Sequence, residues 1–197
     1  MGWFCQKPND PKRVAICVGH SRKGDFGARS VSGMSEWSYN RPLADELQEE
    51  LIRRNLHADV FSDYQKAWYN EAIKWLAGML KKGNYDIAIE LHFNSYDSSS
   101  ARGHEYLYFH KSANGKRLAQ AFSDNHEQHL PDMVVRGPKA VYPKGRGHLF
   151  LKGVKPVAVI CEPFFGSSPA EWVTYSNNRR LLVEIYADAI CDYFALA

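Results

Sequence analysis

Apolar residues along this chain fall into short, nearly continuous runs, separated by longer stretches in which they recur at helical spacing. Val14-Ala-Ile-Cys-Val18, Ile87-Ala-Ile-Glu-Leu91 and Val157-Ala-Val-Ile-Cys161 have the length and β-branched content of strands buried on both faces. Asp59-Val-Phe61 and Glu105-Tyr-Leu-Tyr-Phe109 read as two more strands. Leu43, Leu47 and Leu51 mark one face of a helix beginning at about Asn40, which caps it, with Pro42 in the first turn. Trp68, Ala72, Trp75, Leu76, Met79 and Leu80 predict a core-facing helix over about 65–82, ended by Gly83-Asn84. A polar helix follows over about 114–129, with His126 and His129 on a solvated face. A last helix over about 176–194 turns Leu181, Leu182, Ile185, Ala189 and Ile190 toward the sheet. The proline- and glycine-rich segment 131–147 reads as irregular and placed to wall a cleft. Strands alternating with helices predict an α/β fold: a single domain with a mostly parallel, twisted sheet and helices on both faces.

The chemistry sits where the three longest apolar runs stop. The first runs into Gly19-His20, the second into His92 and the third into Glu162. Open α/β sheets place ligands just beyond the carboxyl ends of their strands, so these three side chains are expected in one cleft. The long Gly- and Ser-rich loop from Ser21 to Ser35 follows His20, and loops of that length are often functional. Catalytic zinc takes three ligands from His, Asp and Glu and leaves a fourth position for water. His20 and His92 are the candidate imidazoles, and Glu36, which opens Glu36-Trp-Ser-Tyr-Asn40, can turn back over the strand ends. Glu162 then remains free to move protons. Asn94, Arg146 and His148 are candidate substrate contacts, as is His104, although Asn94 equally suits a turn.

Composition narrows the field. A net charge of +3 from 25 basic and 22 acidic residues, scattered along the chain, does not favour a nucleic-acid partner. Cys5, Cys17, Cys161 and Cys191 lack CxxC spacing, which argues against a thiolate zinc knuckle, and Cys17 and Cys161 read as small buried hydrophobes. The first ten residues lack the apolar core of a signal peptide, and no run is long enough to span a membrane. The expectation is a protein that is cytoplasmic as synthesised, without stable membrane insertion, and dependent on release or assisted export to act outside.

At these residues the chain resembles the zinc-dependent N-acetylmuramoyl-L-alanine amidases, type 3, cell-wall hydrolases related to sporulation and phage lytic enzymes. The resemblance runs in order through Gly19-His20 with Gly27-Ala28, Glu36 with Asn40, Leu91-His92-Phe-Asn94-Ser95, and Val159-Ile-Cys-Glu162 with Phe165. It implies peptidoglycan as substrate, Zn2+ held by His20, Glu36 and His92, and Glu162 as the catalytic carboxylate. No separate wall-binding domain is evident. The chain departs from the family pattern at Glu90, where a small hydroxyl residue is usual, and at Pro163-Phe164. Strand alternation puts Glu90 on the same side as His92, so it is either a carboxylate that orients the imidazole or an alternative ligand.

Two rival readings make different demands. Zinc carboxypeptidases and deacylases often supply their first ligands as His-x-x-Glu, but here the fourth residue of His20-Ser-Arg-Lys23 is lysine, and HExxH is absent. A non-catalytic peptidoglycan-binding module would have no need of Glu162, which is present.

Overall fold

The computed structural model describes residues 11–195, so the expectation about the extreme amino terminus, and Cys5 with it, lies outside the described residues. Six strands form one sheet: β1 (Arg13–Val18), β2 (His57–Phe61), β3 (Ile87–Leu91), β4 (His104–Phe109), β5 (Val135–Val141) and β6 (Val157–Glu162), in the order β2-β1-β3-β6-β4-β5. All neighbouring pairs are parallel except β4 against β6. Six helices accompany them: α1 (Glu36–Arg53), α2 (Tyr69–Gly83), α3 (Ala113–His129), α4 (His148–Gly153), α5 (Pro169–Asn177) and α6 (Arg179–Ala195). No helix among the described residues is long and apolar enough to cross a membrane.

The strands are buried on both faces, and their alternation sorts the core into two layers. Val14, Ile16 and Val18 of β1, with Ile87, Ile89 and Leu91 of β3, pack under α1, α3, α5 and α6. Ala15, Cys17, Ala88 and Ile160 face α2 and α4. The mostly parallel sheet with helices on both faces is therefore as the alternation of elements predicts. From β1 the chain leaves through α1 to β2 on one side, then passes through α2 to β3 on the other. This reversal opens a crevice at the carboxyl ends of β1 and β3, where ligands bind in open α/β sheets.

Four element assignments from sequence are corrected. The first helix starts at Glu36 because Ser35 caps it, its side chain accepting from the Ser38 amide at 3.1 Å; Asn40 lies inside it and Pro42 in its second turn. The second helix starts at Tyr69, leaving the expected core residue Trp68 74% exposed at the N-cap. Residues 135–141 are not irregular but form edge strand β5, where Pro138 and Gly137 are tolerated because an edge leaves one side of the backbone unpaired. The last helical stretch is two helices, with Pro169 opening α5 in its first turn and α6 starting anew at Arg179.

Candidate active site

Strand ends place His20, His92 and Glu162, and the start of α1 places Glu36. His20 lies one residue past the end of β1, after Gly19, in a left-handed conformation, φ 58°, which a non-glycine residue adopts at a cost of about 1 kcal/mol or more. That turn brings its ring across the sheet end to His92, edge to face at 4.9 Å. His92 continues β3, its amide donating to the Cys161 carbonyl at 3.1 Å, so its backbone is fixed by the ladder to β6. Glu36 reaches both rings from the first position of α1: Oε2 lies 3.3 Å from His20 Nε2 and Oε1 lies 3.1 Å from His92 Nδ1. One ligand atom from each of the three lies within 4.8 Å of the others.

The nitrogen of each imidazole that faces away from Glu36 is held by another carboxylate. His20 Nδ1 is 3.0 Å from Asp25 Oδ1, which also accepts the Gly27 amide at 3.2 Å. His92 Nε2 is 3.3 Å from Glu90 Oε2, and Tyr64 Oη donates to Glu90 Oε1 at 3.2 Å. Glu90 thus meets the imidazole nitrogen opposite the one that faces Glu36. Carboxylates in this position fix ring orientation and raise ligand basicity. Glu36 itself is buried and accepts the Ala28 amide at 2.7 Å and the Phe93 amide at 3.2 Å.

Electrostatics follow from this crowding. Burial alone would lower the His92 imidazole, but hydrogen bonds to Glu36 and Glu90 outweigh it and raise the pKa to about 9. Burial raises the Glu36 carboxyl, and its bonds to His92, the nearby His20 and the Ala28 amide bring it below its ordinary value. Two glycines make room for the arrangement. A Cβ on Gly19 would sit 2.3 Å from the His92 ring, and one on Gly27, at φ 71°, would meet Glu36 Oε2 and His20 at 2.6 Å.

Glu162 ends β6 across the cleft and is 1% exposed. Its Oε1 is paired with Arg146 Nη2, while its Oε2 is buried without a hydrogen-bond partner among the described residues. His20, Asp25, Glu36, Glu90, His92, Arg146 and Glu162 line one cleft of about 630 Å³. Cys17 and Cys161 are free, and burial pushes both thiols well up, so neither serves as a thiolate nucleophile.

The structure does not bring every candidate into this cleft. Asn94 points elsewhere: its amide donates to Glu105 Oε1 at 3.0 Å, and its backbone extends the β3–β6 ladder through Phe164 and Gly166. His148 lines a neighbouring groove instead. His104 is buried beside Ser123, with burial lowering it to about 4. His126 is not on a solvated face but fully buried, bonded at 2.6 Å to the hydroxyls of both Tyr106 and Tyr175. Phe164 is core, stacked on Tyr175 at 4.5 Å, which gives the Pro163-Phe164 departure a packing role. Sequence reasoning missed Asp25 and Tyr64. Asp25 had a signal, a lone carboxylate in a glycine-bracketed loop five residues after a candidate ligand, whereas Tyr64 had none.

Residues 14–192 match the N-acetylmuramoyl-L-alanine amidase family. Among solved structures, the chain is similar to the CwlD amidase from Clostridioides difficile in complex with the GerS lipoprotein, with TM-score 0.82 and 18% identity over 94% of this chain and 100% of that one. It is also similar to the catalytic domain of CwlV, an N-acetylmuramoyl-L-alanine amidase from Bacillus (Paenibacillus) polymyxa var. colistinus, with TM-score 0.78 and 21% identity over 94% and 99%. The catalytic domain of the CD27L endolysin targeting Clostridia difficile gives TM-score 0.74 and 26% identity over 93% and 97%. No curated protein matches. Because the family match begins in β1, ends in α6 and takes in every strand that carries a cleft residue, the chain belongs to the N-acetylmuramoyl-L-alanine amidases, an enzyme family.

Proposed function

We propose that the chain hydrolyses the amide between N-acetylmuramic acid and L-alanine in peptidoglycan with a zinc ion held by His20, Glu36 and His92, and with Glu162 as the catalytic carboxylate. The observation that carries this reading is the convergence of two imidazoles and one carboxylate, each imidazole backed by a further carboxylate, opposite a buried glutamate. The donor set fits zinc: two nitrogens and one oxygen are the ligand types of a catalytic site with a position left for water. It also fits by charge. Asp25, Glu36, Glu90 and Glu162 gather around two imidazoles and the guanidinium groups of Arg22 and Arg146, and a divalent cation offsets that excess of negative charge.

When bound, zinc supplies Lewis acidity, polarising the lactyl carbonyl and lowering the pKa of water to about 7. The chain's own residues do the rest. Asp25 and Glu90 keep the His20 and His92 rings aimed, so the nitrogens facing Glu36 are the ones presented to the metal. Glu162 takes a proton from the attacking water and passes it to the leaving amine of alanine, a step amides require because an amine anion leaves very poorly. No covalent intermediate is involved.

Purified peptidoglycan treated with the zinc-replete protein should release new amino groups, with release stopped by a chelator and restored by zinc. A module that only binds would sediment with the polymer and release none.

A further inference from the structure

The cleft does not end at Glu162. Arg146 and Gly147 also line an adjoining open groove of about 470 Å³, bounded by Tyr69 on one bank and by Lys144, His148 and Leu149 on the other. The two compartments have opposite character. Every carboxylate lines the inner one, whereas Lys144 and Arg146 are the charged side chains of the outer groove and no acid lines it. Lys144 is exposed and has no ion-pair partner among the described residues.

The loop carrying these groups is fixed in its backbone. Gly145 donates to the Tyr142 carbonyl at 2.9 Å and His148 to the Gly145 carbonyl at 3.1 Å. A Cβ on Gly147 would lie 2.2 Å from Ile160 Cδ1, so the loop is pressed onto β6 next to Glu162. The Arg146 side chain is nevertheless 66% exposed while its partner Glu162 is 1% exposed. A guanidinium so placed can leave the carboxylate for the groove by side-chain rotation alone.

Direction follows from the chemistry and rests on the amidase reading above. Glu162 must reach the leaving amine to protonate it, so the leaving peptide lies on the Glu162 side and continues past Arg146 into the groove. We propose that the Lys144–Leu149 groove binds the leaving peptide through a free carboxylate on the residue after alanine, and that Arg146 exchanges Glu162 for that carboxylate when substrate binds. Arg146 is then both a specificity determinant and a positioning residue: its departure frees Glu162 Oε1, and a planar guanidinium suits a bidentate carboxylate.

The test uses two muramyl peptides that differ only in carrying a free carboxylate or its amide on the residue after alanine. With the zinc-replete protein, kcat/KM should be about tenfold higher for the acid, the difference between a charge-assisted and a neutral hydrogen bond. Arg146→Ala should bring the two substrates together, mainly by raising KM for the acid, and Arg146→Lys should restore part of the preference. Equal turnover of both peptides by the unaltered protein, or equal slowing of both by Arg146→Ala, would overturn the assignment. Calorimetry with the corresponding alanyl peptides separates the groove from the reaction. Glu162→Gln should bind the acid peptide more tightly than the unaltered protein, since Arg146 is released, and unchanged affinity would overturn the exchange. Acid-selective binding without turnover of either muramyl peptide would uphold the groove and overturn the amidase reading instead.

Discussion

Replacing Glu162 with glutamine should leave the fold and the bound zinc intact while lowering turnover on peptidoglycan by roughly 100-fold or more, the usual range for a general acid/base. Glutamine keeps the size of the side chain but cannot accept the water proton. The fold should be retained because Glu162 Oε2 makes no hydrogen bond among the described residues and the ladder that fixes β6 is made by the backbone. Steady-state kinetics on purified peptidoglycan, together with metal analysis of the same preparation, checks this. Near-normal activity with zinc retained would remove Glu162 from the mechanism, and loss of the metal would move it into the ligand set.

Zinc should bind at about one ion per chain, and His20→Ala or His92→Ala should abolish most of it. Losing one of three ligands forfeits about a third of a binding free energy on the order of 10 kcal/mol, about 3 kcal/mol or roughly 200-fold in affinity. Asp25→Ala and Glu90→Gln should cost less, roughly 10- to 100-fold, because each acts through an imidazole. The pH dependence has a definite sign. With His92 raised to about 9 in the metal-free chain, the ring is protonated at neutral pH, and metal uptake must displace that proton. Affinity should therefore rise with pH up to about 9, with proton release seen as a buffer-dependent heat in calorimetry. A folded chain without zinc after metal-replete purification would remove the metal mechanism. Full affinity in Glu36→Ala with loss in Glu90→Gln would mean that the carboxylate ligand is misassigned.

The sheet and the strand-end residues were legible because both rest on local patterns. Apolar runs buried on two faces announce parallel strands, and a polar residue directly after such a run has few other roles. What escaped was set by distant chain. Residues 135–141 become a strand only because β4 lies beside them, so their proline and glycine read locally as loop. His126 looks solvated in a polar helix, yet Tyr106 and Tyr175, far away in sequence, close over it with their hydroxyls. Tyr64 is in the same position relative to Glu90. Asn40 and Pro42 resemble a helix start, but Ser35 lies upstream and its cap decides the boundary. The cationic groove beside Arg146 was invisible for a similar reason, since Tyr69 and the 144–149 loop meet only in three dimensions.

The identity of the bond cut tests the central claim most directly. Purified peptidoglycan digested by the zinc-replete protein should yield peptides with a new amino-terminal alanine and intact glycan strands, as labelling of new amino termini and mass analysis would show. New reducing sugars without new amino groups, or new amino termini on residues other than that alanine, would contradict it.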